Sequence, residues 1–165
     1  MDIVVFLDGD YSDYPEAMGE LVDPIARGEQ DMVLGTRLDP LFDSRAMPVH
    51  AVYGNRLVTG CINLLFGGRY TDLGPFRAIR WEALERLEMR DPDFGWTAEM
   101  QVKALKRGLR VREVPVRYRP RIGVSKVSGT IKGSVLAGTK ILYTVFGLYA
   151  KTLGSRGSRK GSRNR

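Results

Sequence analysis

Ile3-Val4-Val5-Phe6-Leu7-Asp8-Gly9-Asp10 sets an unbroken apolar run directly before two carboxylates separated by a glycine. The apolar run reads as a buried parallel strand. Asp8 and Asp10 follow at the strand's C-terminal edge, where α/β sheets bind their ligands. Spaced two apart, with Gly9 between them, the two side chains can turn toward one point. Hard oxygen ligands in that arrangement suit Mg²⁺ or Mn²⁺, ions that bridge the phosphates of a nucleotide. A solvated Asp-Gly turn uses the same residues, so the surroundings have to decide between the two.

Outward from this point, strands and helices alternate. Pro15 opens a helix to about Ala26, stopped by Gly28. Met32 to Gly35 reads as a strand, His50 to Phe66 as a helix closed by Gly67-Gly68, and Phe76 to Ile79 as a short strand. Trp81 to Leu87 and Thr97 to Arg107 follow as helices. Val111 to Tyr118 alternates as a strand that Pro115 places near an edge. Gly129 to about Leu153 is a last, longer helix. The class is therefore α/β, a mostly parallel sheet with flanking helices.

The 165 residues suffice for one domain with a real core, and 43% hydrophobic and 27% charged residues are ordinary globular values. The formal charge of +7 is unevenly placed. Lys151, Arg156, Arg159, Lys160, Arg163 and Arg165 carry six positive charges with no acidic residue among them, leaving +1 on residues 1–150. Cys61 is the single cysteine, which excludes an internal disulfide and a Cys-rich zinc site and is compatible with a reducing cytoplasm. Cys61, among Ile62, Leu64 and Leu65, reads as core, and His50, the single histidine, as a packed or surface residue.

The stretch VVFLDGDYSDYPE resembles the acidic-pair region of family 2 glycosyltransferases, especially the dolichol-phosphate mannosyltransferase-like branch. The likeness continues in order through GTR, GNRL, TDLGPFRAIR, the long segment FGWTAEMQVKALKRGLRVREVPVRYRPRIGVSKVSG and a following AG, over about residues 3 to 142. It implies the C-terminal part of a GT-A, Rossmann-like domain. In that family a nucleotide-binding half precedes the acidic pair, whereas seven residues precede Asp8 here. The expectation is a truncated chain. Residues 1–128 form its metal- and acceptor-binding part, 129–153 an amphipathic interfacial helix, and 154–165 a disordered basic tail.

Site residues follow from the same resemblance. Asp8 and Asp10 are the metal ligands. Asp72, in Thr71-Asp72-Leu73-Gly74-Pro75-Phe76-Arg77, contacts the donor sugar or the acceptor, and Arg77 supports that loop. Glu99 stands where family members acting on hydroxyls carry a catalytic carboxylate, since a hydroxyl proton must leave as its oxygen attacks. The bland reading of Glu99 is an i, i+4 pair with Lys103. Arg117, Arg119, Arg121, Ser125 and Lys126 form a basic cluster suited to phosphate oxygens. Within it Arg121, Ser125 and Lys126 are expected on the donor diphosphate or acceptor phosphate, with Arg117 as a further substrate-binding residue and Arg119 as an edge charge.

Ile141 to Ala150 is ten apolar-rich residues, short of the ~20 that span a bilayer. At about 100° per residue, Val135, Leu142, Val145, Phe146, Tyr149 and Leu153 share one face, opposite Lys132, Lys140 and Lys151. With the basic tail, this fits a helix lying on an anionic membrane surface. The expected function is inverting transfer of a sugar from a nucleotide-sugar donor to a polyprenyl phosphate, by an enzyme at the cytoplasmic membrane surface. One alternative is a soluble hydroxyl acceptor with Glu99 as base. Another is a non-catalytic basic module binding nucleic acid through the tail, but the near-neutral body lacks a stacking face, so no specific nucleic acid is expected.

Overall fold

The computed structural model describes residues 2–37, 47–123 and 131–161, with side chains throughout except at 131, 132, 134 and 155–161. Among the described residues four strands form one sheet: β1 (Ile3–Phe6), β2 (Met32–Thr36), β3 (Arg77–Arg80) and β4 (Val111–Pro115), in the order β1-β3-β2-β4. The described helices that flank it are α1 (Met18–Ala26, entered through a 3-10 turn at Pro15–Ala17), α2 (Val49–Phe66), α3 (Trp81–Leu87), α4 (Trp96–Lys106) and α5 (Ile131–Gly161). The fold is α/β, a mixed open sheet with helices on both faces.

The sheet corrects one expectation. β3 pairs antiparallel with both β1 and β2, and only β2 and β4 pair in parallel. β1, β2 and β4 nonetheless run in the same direction. The chain enters β3 from the edge where the other three end, because the segment after α2 crosses that edge first. β1 is thus a half-buried edge strand in antiparallel pairing, where a buried parallel strand was expected.

Its unbroken apolar run has a clear cause. Val4 and Phe6 pack on the cluster built from Val58, Ile62, Met100, Val102 and Val145 of α2, α4 and α5. Ile3 and Val5 pack on the opposite cluster with Leu21 and Ile25 of α1. Both faces of the sheet are covered, so alternation with polar residues is not required.

Helix spacing follows the same logic. α1 buries Leu21, Pro24 and Ile25, and α2 buries Asn55, Val58, Thr59 and Ile62, each set three and four apart on one face. α2 stops where Gly67 takes φ +73° and its N–H closes back on the Asn63 carbonyl at 2.9 Å. β4 is an edge strand, as Pro115 suggested, and ends at that proline rather than at Tyr118. α5 continues to Gly161, past the expected end at Leu153. Among the described residues, no helix is long and apolar enough to cross a membrane.

Candidate active site at the strand ends

The ends of β1, β2 and β4 and the start of β3 meet at one sheet edge, and most of the expected site residues gather there. After β1 the chain turns sharply. The Asp8 N–H donates to Asp13 Oδ2 at 3.0 Å, and the Ser12 N–H donates to Asp10 Oδ1 at 3.0 Å, joined there by the Ser12 hydroxyl. Tyr11 is held at φ +69°, a left-handed conformation that costs a non-glycine residue energy and persists only where neighbours impose it. Those neighbours come from beyond β4. Arg119 stacks its guanidinium between the Tyr11 and Tyr14 rings, 3.2 and 4.2 Å from their centroids, and donates to the Tyr11 carbonyl. Asp13 bridges to Tyr118, and the Ile122 N–H donates to the Asp10 carbonyl at 2.9 Å.

This places Arg121 on the acidic pair. Its Nη1 lies 3.2 Å from Asp10 Oδ2. Burial raises the Asp8 carboxyl above the usual carboxylate range and the Asp10 charge adds to it, against the opposing charges of Arg37, Arg121 and Arg77. Burial acts the same way on Asp10, but the Ser12 hydrogen bonds and Arg121 outweigh it and leave that carboxyl low. Two carboxylates that repel each other across a part-buried turn, one already drawing a cation, form a donor set that fits a hard divalent ion. Among the described residues, no group of three or more His, Cys, Asp or Glu stands ready to hold a metal.

Asp72, 1% exposed, is linked to this pair through Arg37, whose charge acts on both Asp8 and Asp72. Arg37, at the end of β2, grips it from three sides: its N–H at 2.8 Å and Nε at 2.9 Å on Oδ2, and Nη2 at 2.7 Å on Oδ1. Burial pushes the Asp72 carboxyl up, but Arg37 overrides that and holds it below its ordinary value. Burial likewise weakens the Arg37 charge, and Asp72 reverses this and raises it. Arg37 also lies over the Tyr118 ring at 5.1 Å.

The rest of the Asp72 loop is pinned at every step. Thr71 and Asp72 donate their N–H groups to Glu113, Leu73 donates to Asn55 Oδ1 at 2.8 Å, and Gln101 Nε2 donates to the Asp72 carbonyl at 2.8 Å. Arg77 is fully buried and spends its guanidinium on the carbonyls of Leu73, Gly74 and Thr97, with its Cζ 5.0 Å from the Trp96 ring centroid. Burial lowers its pKa, partly offset by the Asp72 charge.

Two expected residues make no contact with the acidic pair or with Asp72 among the described residues. Glu99 is buried, with its carboxylate accepting from the Arg90 and Asp91 N–H groups at 3.0 and 2.7 Å and paired with Lys103 at 2.8 Å. Burial raises that carboxyl, but Lys103 and the two N–H groups prevail and lower it. Arg117 is exposed beyond β4. Ser125 and Lys126 lie outside the described residues. The sequence reading passed over Arg37 and Glu113. The signal for Arg37 was present, since a carboxylate in a loop as apolar as Leu73-Gly74-Pro75-Phe76 calls for a cation, and Arg37 belongs to the GTR segment.

No family model matches the chain. Curated proteins do. The chain is 27% identical over 124 residues to a low-salt glycan biosynthesis hexosyltransferase of Haloferax volcanii, covering 74% of this chain and 30% of that protein. It is 45% identical over 67 residues to an uncharacterized glycosyltransferase of Mycobacterium tuberculosis, covering 40% of this chain and 31% of that protein. It is 29% identical over 133 residues to the polyprenol monophosphomannose synthase of Mycolicibacterium smegmatis, covering 78% of this chain and 50% of that protein. The chain thus spans between 30% and 50% of the length of these relatives. Over much of its own length it is similar to part of proteins named as glycosyltransferases.

Proposed function

We propose that this chain is the metal- and acceptor-binding part of an inverting glycosyltransferase that moves a sugar from a nucleotide-sugar donor to a polyprenyl phosphate at a membrane surface. The observation that carries the proposal is the meeting of Asp8, Asp10 and Arg121 at one sheet edge beside the Arg37–Asp72 pair. Asp8 and Asp10 would hold Mg²⁺ or Mn²⁺, and an ion bound there neutralises the charge of the donor diphosphate. Arg121, partly exposed on Asp10, has a guanidinium fork suited to the same phosphate oxygens. Ser125 and Lys126 join it by the family resemblance. Asp72 and Arg37 act as one unit against the donor sugar or the acceptor, and Arg77 keeps their loop in place.

In the transfer, an acceptor phosphate oxygen attacks the anomeric carbon from the face opposite the nucleoside diphosphate. The new C–O bond forms as the bond to the diphosphate breaks, and both electrons of that bond leave with the diphosphate, which inverts the centre. A phosphate oxygen arrives ionised and needs no base. A hydroxyl acceptor would need one, and the tethered, low-pKa Glu99 is poorly suited to the task. That supports the phosphate acceptor, as does the similarity to the polyprenol monophosphomannose synthase of Mycolicibacterium smegmatis. In an active preparation, Asp10→Asn is expected to abolish transfer in Mg²⁺ or Mn²⁺ with the circular dichroism spectrum unchanged. Undiminished turnover in that variant removes the metal role and with it the proposal.

A further inference from the structure

The outer side of α2 is as apolar as its inner side. At about 100° per residue, Val49, Tyr53, Leu57 and Leu64 fall opposite the buried Val58 and Ile62. They are 71%, 68%, 57% and 86% exposed. α5 lies alongside, where Tyr149 meets Phe66 edge to face at 5.8 Å. Its Val145 is fully buried, while Val135, Phe146 and Leu153 line one exposed flank and Leu136 and Tyr143 face outward. Scattered exposed apolar residues are ordinary, but exposed apolar residues gathered on two helices that touch mark a surface able to take an occupant.

On the other flank of α5 the chemistry reverses. Thr144 donates to Asp91 at 2.9 Å and Lys140 pairs with Asp93, which ties α5 to the segment before α4. Between α4 and α5 lies an open cleft of about 800 Å³. Three of its cations already have acidic partners: Lys103 on Glu99, Lys140 on Asp93 and Arg107 on Glu88. Arg90, Lys106 and Lys151, all exposed, have no ion-pair partner among the described residues.

We propose that this face seats on an anionic bilayer, with the α2–α5 ridge in the interfacial layer and the α4–α5 cleft taking a lipid phosphate headgroup. Charge selects this occupant. Surplus cations beside an apolar ridge complement a surface that is negative outside and apolar beneath. A second copy docked by the same face would set these cations against their own kind. The inference deepens the membrane reading proposed above, which rested on α5 and the basic end, by adding α2 and a defined headgroup site.

The test is co-sedimentation of the intact chain with phosphatidylcholine vesicles, alone or mixed with phosphatidylglycerol, at about 0.1 M salt. Light scattering and circular dichroism on the same samples report oligomeric state and folding. The parent is expected to prefer the anionic vesicles by about tenfold or more. Lys106→Glu with Lys151→Glu should erase most of that preference, and Leu57→Ser with Leu64→Ser should weaken binding while leaving the preference. Parent-like binding by the lysine variant overturns the headgroup cleft and leaves the broader membrane reading standing. A parent that binds neither vesicle overturns both. A serine variant that turns a dimer into a monomer and binds vesicles like the parent assigns the ridge to self-association, against the proposal.

Discussion

At Asp72 two opposing forces act on one carboxylate. Burial favours its neutral form, and Arg37 favours the ion strongly enough to win. The sign of the pH effect follows. A folded pKa below the unfolded value contributes stability above the ordinary carboxylate range, and that stability is lost as pH falls through the folded value. Arg37→Met leaves the buried carboxylate without its partner, and breaking such a pair typically costs about 3–5 kcal/mol. The expected outcome is a lower urea midpoint at pH 7 and a deficit against the parent that shrinks as pH falls, because burial then raises the Asp72 pKa and protonation removes its unpaired charge, both followed by circular dichroism. A deficit that stays constant with pH would mean that Arg37 does not control the ionisation of Asp72. Glu99 poses the complementary question. Its lowered carboxyl and three tethers fit a structural clamp on the Arg90–Asp91 turn better than a proton acceptor. Glu99→Gln keeps an oxygen for the two N–H groups, so transfer to a polyprenyl phosphate should persist without a new requirement for high pH. A fall of about 10²-fold or more, typical for a lost general base, would point to a hydroxyl acceptor instead.

At the scale of elements, the loop before β3 shows how an irregular segment is fixed as firmly as a strand. Glu113, Asn55, Gln101, Arg37 and Arg77 each hold a different group of it, and Gly74 lets it lie flat against β2. A Cβ on Gly74 would stand 2.5 Å from the Gly35 carbonyl oxygen and 3.3 Å from Asp72 Oδ2. Backbone cannot yield as a side chain can, so Gly74→Ala should lift the loop and loosen the Arg37–Asp72 pair. A destabilisation of about 1–3 kcal/mol is expected by chemical denaturation, with reduced turnover alongside. Parent-like stability would show that the loop has slack. Periodicity and turn residues made α2, α3 and α4 legible to within a residue, and α1 to its end at Ala26, with a 3-10 turn ahead of it at Pro15–Ala17. They could not show that β3 is reversed, since strand direction depends on which sheet edge the preceding loop crosses. Nor could they pair Arg37 with Asp72, whose thirty-five-residue separation is closed only by the sheet. Asp8 and Asp10 could be read together because they stand two apart in sequence, and the Asp10 charge does act on Asp8. That Arg121 reaches Asp10 depends on the β-bridge between Asp13 and Tyr118, which has no local signal.

For the molecule as a whole, charge and apolar surface are segregated, and that segregation makes their contributions separable. The first 150 residues carry a net +1, while six further cations follow from Lys151 onward. The apolar ridge of Val49, Tyr53, Leu57 and Leu64 lies on α2, far in sequence from those charges. Salt acts on the two unequally. Between about 0.1 M and 1 M ionic strength the Debye length falls from about 10 Å to about 3 Å, which removes attraction from charges not in direct contact with the surface. The apolar term does not share this sensitivity, because transfer of a leucine side chain out of water contributes about 1.5–3 kcal/mol on full burial without reference to counterions. Vesicle binding by the parent chain should therefore fall by about tenfold or more over that range and then level off, rather than vanish. The residual binding should be equal on neutral and anionic vesicles, and the Leu57→Ser, Leu64→Ser variant should lack it. Binding that disappears completely at 1 M salt would mean that the cations act alone and that the α2 ridge stays out of the bilayer. Binding indifferent to salt would mean that the basic end of the chain takes no part in holding the protein to the surface.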